Sequence, residues 1–465
     1  MNKKVSNLAV ILFVISIALS QPIFLIYGSQ GKSPILQLTT TAFWSIVIIL
    51  LPILAHQKTT LRRIDFQSLK YLKVFFRFQI TAIFIGLFVA IPKIGLWNNT
   101  TAEGFKVLLA FAAGMQILKL QILSDRLILN LITFFLVLQI TFGAIQYFSI
   151  NTLPFYGFNF ALVSPNYLWW DSEAIWGSFP NYGKNSFGAF LVLSSCIYIP
   201  QLFSKARELN VKKASRILII LQSLIVVFTV WAIYLARSRT SLFLVSMILI
   251  SEVIVFLHRR RAFLAPFVYL TFASLALFLY IKISQNFQLN SWIISAESLN
   301  TRLKVASILL NSNEGNILVG SGTGSVFSHT DGTAADGFKS GNFGLGVNSD
   351  NAFIRTFVEN GLIGLIFMTV GVIFFFKFLN KTVSVNTVDF HKYRAGIYLG
   401  ITFIVLCATS DFTSIHLLVG YFSFLLYYLV HPKENIRITY PVDENFKNTP
   451  IANKRKRRGS KNEAL

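Results

Sequence analysis

The amino-acid sequence predicts an all-α, polytopic membrane protein of about twelve transmembrane helices with one large extracytoplasmic loop. Three observations carry this reading. Of the 465 residues, 54% are hydrophobic and 13% charged, about half the roughly 25% charge of a soluble domain. The apolar residues gather into runs near 8–27, 34–55, 78–96, 104–118, 127–149, 186–203, 217–236, 240–257, 262–281, 357–379, 395–409 and 412–430. Most of these approach the roughly 20 residues that a bilayer-spanning helix needs. With the amino terminus inside, 31 of the 42 basic residues then fall on the inner side, as the positive-inside rule requires.

The first run follows Lys3-Lys4 and continues past Ala18-Leu19-Ser20 to Tyr27, so it reads as an uncleaved first span rather than a signal peptide. The run at 104–118 is the weakest, with Lys106 near one end and Lys119 just beyond the other, and the sidedness of everything after it depends on its crossing. The expected organisation is residues 1–281 as nine spans with an outer segment at 150–185, then the outer loop 282–356, three spans in 357–430, and a basic cytoplasmic tail at 431–465.

The positive balance, 42 Lys and Arg against 19 Asp and Glu, is therefore mostly topology, and basic residues spread over short loops exclude nucleic acid as a partner. The run from Lys454 to Arg458 is read as a tail resting on anionic lipid. The two cysteines, Cys196 and Cys407, sit in separate spans and give no disulfide framework. The six histidines are scattered, and no metal or other cofactor is expected.

Eleven basic residues remain on the outer side, where topology does not explain them. Arg237 and Arg239 stand between two spans with almost no loop, where planar donor forks suit a phosphate or pyrophosphate, or snorkel to lipid phosphates. Arg302 and Lys304 follow Glu297 in a stretch that reads as a short amphipathic helix, open to a surface salt bridge or to a ligand. Arg355 lies four residues before Glu359, a spacing that pairs them on one helix face.

Asp350-Asn351 ends the loop just before Gly361-Leu362-Ile363-Gly364. Either residue suits a helix N-cap, and the glycines suit close packing; a carboxylate there is also placed to deprotonate a sugar hydroxyl. Nine of the 27 glycines fall between Gly315 and Gly346, as befits a mobile or close-packed backbone. Gly320-Ser321-Gly322-Thr323-Gly324 lacks the Gly-Lys-Ser/Thr of a nucleotide cradle.

Together these pieces resemble the bacterial O-antigen ligase and polymerase family, which includes capsule and exopolysaccharide polymerases. The resemblance covers mainly residues 176–375. Trp176-Gly177-Ser178-Phe179-Pro180-Asn181-Tyr182-Gly183 is similar to that family's Gly-x-Phe-x-x-Pro-Asn segment, one residue shorter, and Arg237-Ser238-Arg239-Thr240 to its Ser-Arg-Ser/Thr element. Arg302 followed by Leu318-Val319-Gly320-Ser321-Gly322 is similar to its arginine and Leu-x-Gly-x-Gly turn. Asp350-Asn351, nine residues, then Gly361-x-x-Gly364 matches the ligase pattern His-Asn-x9-Gly-x-x-Gly in spacing, with Asp in place of His.

The resemblance implies a GT-C-like fold in the bacterial cytoplasmic membrane, with both termini cytoplasmic. It also implies inverting, metal-independent glycosyl transfer from an isoprenoid-pyrophosphate-linked oligosaccharide. Arg237, Arg239 and Arg302 would meet the leaving pyrophosphate and Asp350 would act as base. Asn351, Arg355, Asn181, Lys184 and Trp176 would bind substrate. The Asp-for-His change favours a polymerase over a ligase. Trp169, Trp170 and Trp176 suit either sugar stacking or interfacial anchoring. Membrane lipids, a flippase and chain-length regulators are the candidate partners. An exporter or flippase of lipid-linked sugars is the alternative outside the enzymes, but neither related halves nor a broken helix is evident in the sequence.

Overall fold

The computed structural model describes residues 66–94, 99–118, 125–149, 183–207, 214–236, 238–257, 271, 317–323, 351–385, 390–409 and 416–430. The expected spans at 8–27, 34–55 and 262–281 lie outside the described residues. One compact unit runs from Met1 to Val430, and the second, His431–Leu465, is also outside them.

Nine α-helices make up the described part: α1 Phe66–Ile94, α2 Asn99–Ile117, α3 Asp125–Ser149, α4 Gly183–Arg207, α5 Ala214–Leu235, α6 Arg239–Leu257, α7 Ala352–Val385, α8 Phe390–Thr409 and α9 His416–Val430. Six of them, α1 and α3 to α7, are long and apolar enough to cross a membrane, and α2 and α9 carry shorter apolar stretches. The chain is thus an all-helical, multi-pass membrane protein in its described part. α1 begins well before the expected 78, because Leu69, Leu72, Phe75 and Phe76 continue the buried face while Lys70 and Arg77 point outward.

Burial ranks the helices. The apolar window of α4 is 94% buried and that of α5 only 22%, which puts α4 at the centre and α5 at the rim. Lipid is as apolar as leucine, so hydrophobicity alone does not pull these helices together; close packing and side-chain hydrogen bonds do. Around α4, Ser194 Oγ and Tyr421 Oη of α9 lie 2.7 Å apart, and the Cys196 thiol donates to Thr402 Oγ1 of α8 at 3.3 Å. Phe190 stacks on Tyr421 at 4.2 Å between ring centroids. Phe403 and Phe422 stack at 4.7 Å and link α8 to α9, while Phe75 of α1 meets Phe375 of α7 at 5.2 Å.

Side-chain contacts fix the helix directions. Tyr71 sits under the Lys381 ammonium, whereas Lys93 at the other end of α1 reaches Ser321 beside the start of α7, so α1 and α7 are antiparallel. Lys392 joins the starts of α3 and α8 to the end of α9 through Asp125 and Tyr428. Lys70, Lys73, Arg126, Lys205 and Lys381 mark this basic end. Helices α4, α6 and α7 start at the opposite end.

α7 is interrupted. Gly361 has φ 67° and ψ −170°, which splits the element into a half-helix at 352–360 and a longer span after it. The freed groups on both sides are taken up by residues 317–323. Ser321 and Gly322 donate their N–H groups to the carbonyls of Val358 and Glu359 at 2.9 and 2.8 Å. Leu362 and Ile363 donate to the carbonyls of Ile317 and Leu318 at 2.8 and 3.0 Å, and Thr323 N–H reaches the Gly86 carbonyl of α1 at 2.9 Å. The Leu-x-Gly-x-Gly stretch is therefore a splice, buried from Gly320 onward, and of the two uses the sequence left open for its glycines, the close-packed one holds at Gly320 and Gly322. The interruption is a feature the sequence did not reveal.

The splice needs glycine. A Cβ on Gly361 would strike the Leu318 carbonyl, and Gly361 sits in the left-handed region where side chains are strained. Gly361→Ala is expected to cost about 1–3 kcal/mol or more. By contrast, a Cβ on Gly396 would meet only Leu379 Cδ2 at 3.4 Å and Leu429 Cδ1 at 3.6 Å. Gly396→Ala should therefore be neutral or slightly stabilising. Thermal unfolding of the two purified variants in detergent checks the contrast.

Candidate functional site

Of the residues singled out in the sequence, Arg239, Asn351 and Arg355 are described with their side chains, and Lys184 is placed in the first turn of α4. Asp350, Arg237, Arg302, Asn181 and Trp176 lie outside the described residues. The four that are placed all stand at the end opposite the basic one.

They are held there by tight contacts. α6 starts at Arg239, directly after Ser238, whose Oγ lies 2.9 Å from Ser241 Oγ. Ser238 and Ser241 press on Gly188 of α4, where any Cβ would collide with them, so the starts of α4 and α6 meet. Asn351 caps α7: its Oδ1 accepts the N–H groups of Phe353 at 2.9 Å and Ile354 at 3.1 Å, while its Nδ2 donates to the Ala408 carbonyl of α8 at 3.2 Å. Both ends of that amide serve the fold, which is the N-cap use the sequence left open. Arg355 is 9% exposed, and its Nε donates to Glu359 Oε1 at 3.0 Å, the pairing their spacing predicts.

The charges at these helix starts have an unusual sign. A helix N-terminus is the positive pole of the macrodipole and ordinarily favours acidic residues in its first turn. None of α4, α6 and α7 has an acidic residue there, and their first turns carry Lys184, Arg239 and Arg355 instead. At the basic end α3 begins with Asp125 in the ordinary way, but α5 and α8 also lack a first-turn acid and carry Arg216 and Lys392 there, so the sign alone does not single out the opposite end. Arg239 Nη1 is buried with no hydrogen-bond partner among the described residues, a costly state for a charged donor. Lys93 is different: its Nζ donates to the Ser321 carbonyl at 2.9 Å, so that lysine has a structural task in the splice. What the end as a whole can do chemically is attract an anion.

A second cluster, near the basic end, escaped the sequence reading. Arg394 of α8, 1% exposed, donates from Nε to Glu252 Oε1 of α6 at 2.6 Å, and Glu252 is fully buried. Tyr398 Oη donates to the same oxygen at 3.1 Å. Beside it Lys392 pairs with Asp125 at 2.7 Å. The available signal was Glu252 itself, a carboxylate inside an apolar span, where an ionisable group is rare and needs a partner. By position alone Arg394 counts among the basic residues that the positive-inside rule explains. Among the described residues no three His, Cys, Asp or Glu side chains group as metal ligands.

Because both charges of the Arg394–Glu252 pair are buried, removing one should destabilise far more than removing both. Glu252→Leu alone is expected to cost about 3–5 kcal/mol, and the Glu252→Leu, Arg394→Met double variant to recover most of it. A double-mutant cycle of thermal unfolding in detergent measures the difference.

No protein-family model and no curated protein matches this chain.

Proposed function

We propose that the chain is a polysaccharide polymerase. It joins isoprenoid-pyrophosphate-linked oligosaccharide repeat units on the outer face of a bacterial cytoplasmic membrane, with twelve spans in a GT-C-like arrangement and both termini cytoplasmic. The ends of α3 and α4 that flank 150–182 both lie at the end opposite the basic one, which suits an outer segment there. The connection from Leu257 to Asn351 begins at the basic end and finishes at the opposite one, as one further span at 262–281 requires.

The observation that carries the reading is the set of three helix starts bearing Lys184, Arg239 and Arg355, with Arg239 Nη1 buried and unmatched among the described residues. A pyrophosphate answers both features, because it accepts forked guanidinium hydrogen bonds and suits the positive pole of a helix. The four ordered motifs supply the reaction class. An acceptor sugar hydroxyl attacks the anomeric carbon of the donor, and its proton passes to Asp350. The bond from that carbon to the carrier phosphate breaks, and the electron pair leaves with the lipid pyrophosphate. Arg239, with Arg237 and Arg302, stabilises the charge that develops there. Asn351 and Glu359 hold the half-helix and the Arg355 side chain in place.

A second reading, an exporter of lipid-linked sugars, is favoured by one observation, the interrupted α7 with an ion pair at its break, because discontinuous spans are frequent in transporters. The two readings separate in one experiment, in which gene-deleted cells are complemented and both surface glycan and carrier-linked intermediates are measured. Deletion is expected to leave single repeat units on the carrier. Arg239→Ala, inserted normally, should lower polymer by about 10²-fold, with Arg239→Lys keeping part of it. Unchanged polymer length and amount in Arg239→Ala rejects the assigned role. Purified protein that moves labelled lipid-linked sugar across vesicles without linking it establishes the exporter.

A further inference from the structure

One side-chain oxygen at the α7 break lacks a hydrogen-bond partner among the described residues. Asn360 is 6% exposed, and its Oδ1 is buried without a partner among the described residues. That oxygen lies over Gly86 of α1, and the hydroxyl oxygen of Thr323, itself 8% exposed, reaches the same space. Five backbone donors of the splice are already spent, since the N–H groups of Ser321, Gly322, Thr323, Leu362 and Ile363 all bond to carbonyls.

What converges there is oxygen. The half-helix 352–360 ends at this point and brings the negative pole of its dipole. Of the nearby cations, Arg355 is matched by the Glu359 carboxylate at 3.0 Å, while the Lys93 ammonium rests on the Ser321 carbonyl and keeps its charge. Lys93 also lies seven residues along α1 from Gly86, about 10 Å on the helix axis. Unwound backbone at a half-helix carbonyl end is a recurrent way for membrane proteins to hold an alkali cation. With Glu359 paired, the described residues bring no spare carboxylate to the break, so its charge suits a monovalent ion and not calcium.

We propose that the break in α7 binds a monovalent cation of sodium size, with Asn360 Oδ1 and Thr323 Oγ1 as side-chain ligands and carbonyls of the break as the rest. The site is independent of the polymerase reading.

The test uses the full chain purified in detergent in choline chloride, with radioactive sodium binding and thermal unfolding as readouts at constant ionic strength. Wild type should bind about one sodium per chain saturably and unfold at a higher temperature in sodium chloride than in choline chloride. Thr323→Val, which keeps the shape of the side chain, and Asn360→Ala should weaken binding about tenfold or more, while the distant Gly396→Ala keeps it. Wild type that shows no saturable binding, or that melts alike in both salts, overturns the proposal and leaves the Asn360 oxygen to a buried water. Binding that persists unchanged in both Thr323→Val and Asn360→Ala overturns it equally, because the ion then sits elsewhere.

Discussion

Inside a bilayer an unpaired backbone group has no water to bond, so a helix can stop only where other protein groups take over its hydrogen bonds. The splice between α7 and residues 317–323 answers that constraint, and much of the remaining architecture follows from it. Two carbonyls before Gly361 and two N–H groups after it are met by one short segment of chain, which forces that segment between α1 and α7. The fit leaves no room for Cβ atoms at Gly320 or Gly361, and it gives Lys93 its partner. It also ties the stretch between α6 and α7 to the bundle partway along.

Six of the expected spans were legible because lipid imposes a length and a composition that few sequences meet by accident. The N-cap at Asn351 and the Arg355–Glu359 pair were legible because their partners lie within four residues. The splice was not, although each of its glycines stood out. A glycine-rich stretch has the same composition whether its backbone is loose or wedged against another backbone, and only the partner segment decides. The same holds for Glu252 and Arg394, which are 142 residues apart. An arginine just inside a span looks like a topological marker until the carboxylate that receives it is found.

The candidate site is legible in a different sense. On the expected twelve-span topology the positive-inside rule accounts for most of the basic residues, and the remainder are those that fail it. Lys93 shows why a remainder is not yet a site, since a carbonyl of the splice accounts for it. Arg355 is partly accounted for by Glu359. Arg239 keeps its distinction because a buried donor on it has no match among the described residues.

The sign of the field sharpens this. A cation in the first turn of a helix is repelled by the same peptide dipoles that would welcome a carboxylate, so each of Lys184, Arg239 and Arg355 stands where its helix disfavours it. Of the three, Arg355 is offset by Glu359, so the positive potential at this end rests chiefly on Arg239, whose buried donor has no match among the described residues. Such an arrangement is stabilised by whatever brings negative charge to it. A diphosphate carries more of that charge than a neutral sugar, and in the proposed reaction its charge rises as the glycosidic bond breaks. The field is then worth more in the transition state than in the ground state, which is the condition for accelerating the step rather than merely retaining the donor.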